Sequence, residues 1–273
     1  MISEYSFQKT LSRAVEIAGI GLHTGRHCRI RLRPNDVGEG MAFLCNGETI
    51  PARAEFVVST RRAVTLGRNG QQVSTVEHIL AALHGLGITN AIVEVDGPEI
   101  PALDCSAAPF VRKIQETGIE ALGAEISFWK LAAPVWVAEK ESMALALPYA
   151  GLKLTYIGDF PGLGNKQRTI RLSGKVFTEE IAPARTMVLR QEIEGILAEG
   201  LGQGGSAENV VVLEEGKAPD VLRFKDEPVR HKLLDLMGDL SLLGRPLQAH
   251  VIAVRSGHRM NIELVRKLAE SRS

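Results

Sequence analysis

The amino-acid sequence predicts an α+β fold of two similar domains, each with helices packed on a β-sheet. Three observations lead to this fold class. Both halves of the chain begin with strand patterns, both continue with helix, strand and helix, and a glycine follows the central helix of each half. The residue-by-residue match between the halves is faint, so the repeat is one of element order. We expect an N-terminal domain over residues 1–123 and a C-terminal domain over residues 124–273, with the boundary near 123–130.

Strands and turns are predicted for the first 70 residues. Residues 15–17 and 28–32 alternate apolar and polar side chains, which is the period of a half-buried strand. The glycine-rich letters GIGLHTG (19–25) predict the turn between these strands, and Asn69-Gly70 is a further turn signal.

A central helix is predicted in each half, over about residues 76–86 and 228–243, from apolar side chains at helical spacing and a glycine stop. A short buried strand and a final helix follow each central helix. The remaining predicted elements are strands at 91–95, 134–138, 143–147, 152–157 and 249–254 and helices at 107–116 and 262–269.

The composition argues against several classes of protein. The 273 residues include 32 Lys+Arg and 32 Asp+Glu, so the formal net charge is zero and a broad surface for nucleic acid or anionic membrane is not expected. The three cysteines show no CxxC spacing, which favours a reducing compartment and no cysteine metal site. The N-terminal Met1–Tyr5 stretch gives no signal-peptide pattern, and no apolar run approaches the ~18 residues of a membrane span. We therefore expect a cytoplasmic protein.

One stretch, residues 187–213, lies outside the repeat and is called the insert below. An amphipathic segment is followed there by a glycine-rich loop and an apolar strand. The ordinary interpretation is a surface helix and loop, and the alternative is an apolar face that lines a binding site for an apolar ligand. The apolar side chains of the segment are Leu189, Ile193, Ile196, Leu197 and Leu201.

The letters STVEH (74–78) stand at the start of the first central helix. Ser74 and Glu77 fit a capping box, which is the favoured interpretation of the motif alone. The alternative makes His78 a metal ligand with Glu77 beside it, because adjacent residues at a helix start point about 100° apart. The letters differ from the HxxEH zinc signature, since position 74 is serine.

The second central helix carries His231 and Asp235 four residues apart, so both lie on one helix face. An imidazole and a carboxylate at this spacing suit a metal pair. Lys232 and Asp239 lie along the same side, and the alternative is a solvated, salt-bridged face. The leucines interleaved with these residues favour a buried wall.

Two further residues are candidates for chemistry. His258 follows a predicted strand directly, where catalytic side chains are common, although a polar turn histidine is the ordinary interpretation. Thr186 opens the insert and could donate to an oxyanion, although the motif alone favours a helix N-cap.

The GIGLHTG letters lack the context of a phosphate-binding loop, and the carboxylates near Pro98 and Pro101 indicate fixed turn geometry.

Together these residues supply two histidines and an aspartate for a tetrahedral site with one open position, the arrangement of catalytic zinc. The sequence here resembles the family of UDP-3-O-acyl-N-acetylglucosamine deacetylases of lipid A biosynthesis. The resembling stretches, in the order of the family, are GIGLHTG (19–25), STVEHILAALHGLGITNAIVEVDGPEIPALDCSAAPFV (74–111), ARTMVLR (184–190), LRFKDEPVRHKLLDLMGDL (222–240) and SGH (256–258).

The resemblance implies two similar α+β domains that face each other across the active site. It implies removal of the acetyl group from the 2-amide of a UDP-linked acylated amino sugar, with Zn2+ as the metal and Fe2+ as its alternative in the cell. It implies a monomer with no nucleic-acid partner and no integral membrane segment.

The resemblance also assigns roles by position. The matched residues are His78, His231 and Asp235 as metal ligands, Glu77 as general base, His258 as a cationic histidine, Asp239 as its orienting partner, Thr186 as an oxyanion contact and Lys232 as a substrate contact. Either Glu77 or His258 could protonate the leaving amine.

The insert matches the family's hydrophobic passage for the 3-O-acyl chain, which favours the apolar-ligand interpretation. The expected substrate-binding residues there are Met187, Ile193, Ile196, Leu197 and Leu201. Met187 stands where family members usually carry an aromatic residue, and Arg61-Arg62 stands where apolar residues are expected.

Two alternatives to the deacetylase remain open at this point. One is a metal amidase acting on another acylated amino sugar. The other is a family member that binds a lipid-linked sugar without catalysis. A binding-only descendant is expected to lose at least one of the matched catalytic residues, and all of them are present.

Overall fold

The structure, a computed structural model, describes residues 6–219 and 221–271. The N-terminal residues 1–5, on which the signal-peptide expectation depends, lie outside the described residues. Within the described part of the chain, every helix is too short or too polar to cross a membrane.

The described residues of the first half form ten strands and two helices, with a 3-10 turn at Ala54–Phe56. The strands are β1 (Phe7–Leu11), β2 (Val15–Ile20), β3 (His27–Pro34), β4 (Met41–Cys45), β5 (Glu48–Pro51), β6 (Val57–Ser59), β7 (Thr65–Arg68), β8 (Gln71–Val73), β9 (Ala91–Asp96) and β10 (Ile119–Glu125). The helices are α1 (Glu77–Gly85) and α2 (Ala108–Thr117).

In the part of the second half that the structure describes there are eight strands and four helices, with a π-helical turn at Phe177–Ile181 and a 3-10 turn at Arg190–Glu192. The strands are β11 (Trp129–Lys130), β12 (Val135–Glu139), β13 (Ser142–Pro148), β14 (Leu152–Phe160), β15 (Gly164–Arg171), β16 (Met187–Leu189), β17 (Val211–Leu213) and β18 (Leu247–Val254). The helices are α3 (Gly174–Val176), α4 (Ile193–Ala198), α5 (Glu227–Ser241) and α6 (His258–Glu270).

The main sheets of the two halves have the same strand order. The first runs β2-β3-β9-β4-β5 and the second runs β12-β13-β18-β14-β15. In each sheet the central strand pairs antiparallel on one side and parallel on the other. A central helix precedes that strand and a final helix follows it. The α+β fold class and the repeat of element order are therefore confirmed.

The chain changes sheets near residue 126. β10 pairs with β1 of the first half, whereas β11 pairs with β18 of the second half. The division into domains 1–123 and 124–273 stays a prediction.

The two central helices pack against each other and are buried over nearly their whole surface. Such burial fits their sequences, which are apolar around most of the circumference. Gly238 of α5 makes the close approach possible, because a Cβ atom there would lie 2.2 Å from the backbone oxygen of Glu77. This crossing brings the polar side chains of α1 and α5 to one point in the core.

The insert contains less helix than its amphipathic pattern predicts. Only Ile193–Ala198 is α-helical, while Leu189 ends the strand β16. β16 pairs in parallel with β17, which returns from the far end of the insert. The structure also starts α6 at His258, four residues earlier than predicted.

Candidate active site

The three predicted metal ligands converge at the crossing of the central helices. His231 Nε2 lies 3.2 Å and His78 Nε2 lies 3.8 Å from the same oxygen, Asp235 Oδ1. One ligand atom from each residue lies within 4.8 Å of the others, and all three side chains are buried. Two imidazole nitrogens and one carboxylate oxygen at this spacing match the donor set of a divalent metal such as zinc.

The protonation states of these residues also suit a metal. His231 Nδ1 donates to the carbonyl oxygen of Ala184 at 2.9 Å, so Nε2, which faces Asp235, is the ring nitrogen available to a metal. Burial lowers the pKa of His78 to about 3, so its imidazole is neutral. Burial opposes ionisation of Asp235, but the charges of His231 and Lys232 outweigh it and hold the pKa of Asp235 well below its usual range.

Glu77 lies beside the candidate ligand His78 at the start of α1. Its Oε2 accepts a hydrogen bond from the backbone N–H of Val64 at 3.0 Å, and its Oε1 lies 3.7 Å from His258 Nε2. Burial raises the pKa of Glu77 to about 7, although the charge of His258 opposes the shift. A carboxyl group with this pKa can accept and release a proton near neutral pH.

His258, the first residue of α6, faces Glu77 from the other side. Its Nδ1 donates to Asp239 Oδ2 at 2.9 Å, and Asn261 donates to the same carboxylate at 2.8 Å. Burial alone would lower the pKa of His258, but the carboxylates of Asp239 and Glu77 outweigh it and raise the pKa to about 10. The imidazole therefore carries a positive charge beside the candidate metal ligands.

Lys232 approaches the same centre from the partly exposed side of α5. Its Nζ donates to Asp235 Oδ2 at 2.9 Å, so Asp235 uses one oxygen toward the histidines and the other toward the lysine. Burial would lower the pKa of Lys232, but the charge of Asp235 outweighs it and holds the pKa above its ordinary value. The Lys232 side chain is 26% exposed.

A groove of about 260 Å³ runs beside Thr186 and is called the apolar groove below. Four of the five predicted substrate-binding residues of the insert line it, namely Met187, Ile193, Ile196 and Leu197. The fifth, Leu201, lies outside the lining and donates its backbone N–H to the carbonyl oxygen of Ile196. Thr186 therefore lies at the wall of an apolar cavity.

The similarity of this chain to known proteins covers nearly its whole length. The model of the family described as "LpxC: UDP-3-O-acyl N-acetylglycosamine deacetylase" matches residues 8–270. The chain belongs to the LpxC family.

Individual relatives agree with this membership. A protein of Anaeromyxobacter dehalogenans named UDP-3-O-acyl-N-acetylglucosamine deacetylase is 43% identical over 267 residues, which cover 96% of this chain and 87% of the relative. A protein of the same name from Thermodesulfovibrio yellowstonii is 42% identical over 270 residues, which cover 97% of this chain and 92% of the relative.

Several ordinary interpretations of the motifs are wrong in this LpxC-family structure. The capping box does not form, because Val76 is the N-cap of α1, Ser74 bonds to Thr65 and Glu77 bonds to Val64. Thr186 does not cap a helix, since α4 begins only at Ile193. For Ser74 and Glu77, tertiary partners replace the local contact that the letters suggest.

The interpretation of α5 as a solvated, salt-bridged face is also wrong, because His231, Asp235 and Asp239 are buried. His258 is not a polar turn residue, since it begins α6 and its side chain is only 11% exposed. Both corrections come from the packing of other elements over these side chains, which the local sequence does not show.

Sequence reasoning missed His23, which lines the apolar groove. Both ring nitrogens of His23 are buried without a hydrogen-bond partner among the described residues, and burial lowers its pKa. The buried carboxylate of Glu99 holds this segment by accepting from the backbone N–H groups of His23 at 3.2 Å and Thr24 at 2.7 Å.

The contact with Glu99 explains one glycine of the GIGLHTG stretch. Gly21 must be glycine, because a Cβ atom there would lie 2.0 Å from the carboxylate of Glu99. Taken alone, residues 19–25 (GIGLHTG) and 98–101 (PEIP) each predict a turn. Only the tertiary fold shows that the two segments are hydrogen-bonded to each other across 75 residues.

Proposed function

We propose that this chain hydrolyses the N-acetyl amide of UDP-3-O-acyl-N-acetylglucosamine to the free amine and acetate, the committed step of lipid A biosynthesis. The observation that carries this function is the convergence of a His-His-Asp cluster with Glu77 and His258 at the crossing of α1 and α5. A candidate metal site flanked by a carboxyl group of pKa about 7 and a cationic imidazole suits hydrolysis of an amide. The names of the relatives supply the substrate.

We assign the metal site to His78, His231 and Asp235. Their nitrogen and oxygen donors fit Zn2+, and Fe2+ accepts the same donor types. When bound, such an ion supplies Lewis acidity, which makes water a better nucleophile and polarises an amide carbonyl. The hydrogen bond from His231 to Ala184 fixes the tautomer that a ligand needs.

Glu77 is assigned the role of general base. Its carboxylate is held by Val64 and lies next to His78, so it is close to where the amide must be placed for attack. A pKa of about 7 divides the group between its basic and acidic forms at neutral pH, which favours proton transfer in both directions.

His258 and Thr186 are assigned to the charge that develops on the amide. The imidazolium of His258 is oriented by Asp239 and faces Glu77, so its positive charge is fixed before substrate binds. Thr186 lies in the wall of the apolar groove, and its hydroxyl is assigned as a donor for the developing oxyanion.

Substrate binding is assigned to the apolar groove and to Lys232. Met187, Ile193, Ile196 and Leu197 supply an apolar wall suited to the 3-O-acyl chain. The side chain of Lys232 is partly exposed, and its positive charge suits the polar part of the substrate. We place the reaction in the cytoplasm, carried out by a monomer whose domains are residues 1–123 and 124–273.

The decisive experiment is deacetylation of UDP-3-O-acyl-N-acetylglucosamine by purified protein before and after treatment with a chelator. Activity that is lost on chelation and restored by Zn2+ supports both the substrate and the metal. A fully metallated protein that leaves this substrate intact but releases acetate from another acylated amino sugar would move the assignment to a different amidase. A metallated protein that binds the substrate without turnover would indicate the binding-only alternative.

A further inference from the structure

Two arginines of the first half reach across to the insert. Arg61 and Arg62 lie in the loop between β6 and β7, which is called the arginine loop below (residues 60–64). Arg62 Nη1 donates to Glu192 Oε2 at 2.9 Å, and Arg61 forms an ion pair with Glu199. Both pairs therefore join elements of opposite halves of the chain.

The two glutamates flank one short helix. Glu192 is the residue before α4 and Glu199 is the residue after it. α4 has only six residues, and a helix of this length is not stable by its own hydrogen bonds. Its position must come from contacts with the rest of the protein, and the arginine loop holds both of its ends.

α4 and Arg62 are both walls of the apolar groove. Ile193, Ile196 and Leu197 line the groove from α4, and Arg62 lines it from the first half. Arg62 also has a φ of +65°, a left-handed conformation that a side chain other than glycine rarely adopts. Such backbone strain persists where surrounding contacts hold it, and the ion pair to Glu192 is such a contact.

We propose that Arg61 and Arg62 are positioning residues that determine specificity for the acyl chain. The two ion pairs hold α4 at both ends as a fixed wall of the apolar groove. A long acyl chain therefore binds to a preformed groove. The assignment of an acyl chain to this groove rests on the proposed function. Neither arginine touches the reacting amide in this account.

Because the two ion pairs are exposed, their effect on acyl-chain affinity should depend on salt concentration. The side chains of Arg62 and Glu192 are each 38% exposed, and those of Arg61 and Glu199 are 63% and 46% exposed. Ion pairs between such side chains are weakened by salt. Affinity for long acyl chains should therefore fall with ionic strength more steeply than affinity for short ones.

The test compares the double variant R61Q/R62Q with the native protein and with R31Q. Arg31 is a matched control, because it is an exposed arginine of the first half whose ion pair to Glu94 lies on a sheet strand rather than at the groove. Hydrogen–deuterium exchange of the α4 amides should accelerate about fivefold in R61Q/R62Q, the size expected for the loss of two exposed ion pairs, and should not change in R31Q.

The kinetic arm uses substrates that differ only in acyl-chain length. The ratio of the KM for a long chain to the KM for a short chain should rise about fivefold in R61Q/R62Q, and its salt dependence should disappear. The charge-swapped protein R61E/R62E/E192R/E199R should recover both the slow exchange of α4 and the native KM ratio.

The outcomes separate this inference from the proposed function. Native exchange rates of α4 in R61Q/R62Q, or an equal rise in KM for long and short chains, would overturn the role of the arginines even in an active deacetylase. A native protein that deacetylates no acylated sugar would refute the proposed function, while faster exchange of α4 would still show that the arginines hold the helix.

Discussion

The first and second halves of the chain share one sheet order, yet their central helices contribute different groups to the site. α1 brings Glu77 and His78 from its first turn. α5 brings a candidate ligand pair one turn apart, His231 and Asp235, and a second carboxylate, Asp239, one turn further. The repeat therefore supplies two similar scaffolds, and the chemistry arises where unlike positions of the two helices meet.

The halves also differ in what surrounds the central helix. The second half carries the insert with its apolar groove, and the first half supplies the loops that approach it, through His23 and Arg62. A duplicated fold thus becomes an asymmetric site through one insertion and a few side chains. Variants that act on one half only can test this division of labour.

The largest effect is expected from removing a ligand of α5. His231→Ala removes one of three buried metal donors and leaves the carbonyl oxygen of Ala184 without its hydrogen bond. We expect loss of bound metal and no detectable turnover. Metal content by mass spectrometry and the deacetylation rate measure this, and a fully metallated variant would show that the ligand assignment to α5 is wrong.

A large but different effect is expected from α1. Glu77→Gln keeps the size of the side chain but removes the base, so turnover should fall about 10²- to 10⁴-fold while metal content stays native. His78→Ala, one residue further along the helix, is the matched comparison and should lose metal. Loss of metal from Glu77→Gln would instead assign Glu77 to the ligand set.

A pH-dependent effect is expected from the contact between α5 and α6. The proposed role of Glu77 as a base requires its deprotonated form, so activity should appear as pH rises through about 7. The proposed role of His258 requires its protonated form, so activity should be lost as pH rises through about 10. Asp239→Asn removes the carboxylate that raises the pKa of His258 most, so the loss should move to lower pH.

The pH–rate profile measures the shift in Asp239→Asn, and NMR titration of the His258 ring in metal-free protein follows the same group directly. The acidic limb, which reports Glu77, should move less, because burial raises the pKa of Glu77 more than the charge of Asp239 does. A basic limb that stays in place would mean that another group titrates there.

The smallest expected effect concerns the helix crossing itself. Gly238→Ala places a methyl group 2.2 Å from the backbone oxygen of Glu77, so the helices must move apart. Overpacking of this kind lowers the free energy of unfolding by about 1–3 kcal/mol. Thermal unfolding measures the loss, which should appear as a lower Tm.

Gly195→Ala is the matched control for the crossing. A Cβ atom at Gly195 of α4 has no neighbour within 4 Å, so the change should raise helix propensity and leave Tm equal or higher. Equal Tm values for Gly238→Ala and the native protein would show that the two halves are less tightly joined than their contact indicates.

Much of the fold could be predicted from hydrophobic period and glycine stops. The helices at 76–86 and 228–243 and the strands at 91–95 and 249–254 are present with bounds that differ by at most two residues. The insert was less predictable, because its apolar spacing suits a helix, while Leu189 belongs to a strand and Leu201 follows the turn that ends α4. Its conformation is decided by pairing of β16 with β17, a contact across more than 20 residues.

The candidate site was predictable in its letters and not in its geometry. His231 and Asp235 could be paired from their spacing, because one helix fixes their distance. No local rule joins them to His78, and the local rule for Ser74 and Glu77 gave a capping box that the structure replaces with longer-range contacts. The place of His23 in the groove could not be predicted locally, because Glu99, which holds its backbone, is distant in sequence.

The sequence by itself determined the order of elements, the repeat of that order and the residue types available for chemistry, because hydrophobic period and turn residues act over short distances. Only the tertiary structure decided which of those residues meet and how strongly each binds its proton. The crossing of α1 and α5 buries Glu77 and raises its pKa, and Asp239 with Glu77 keeps His258 charged. Burial and neighbouring charge are properties of packed elements, so they exist only after the halves have come together.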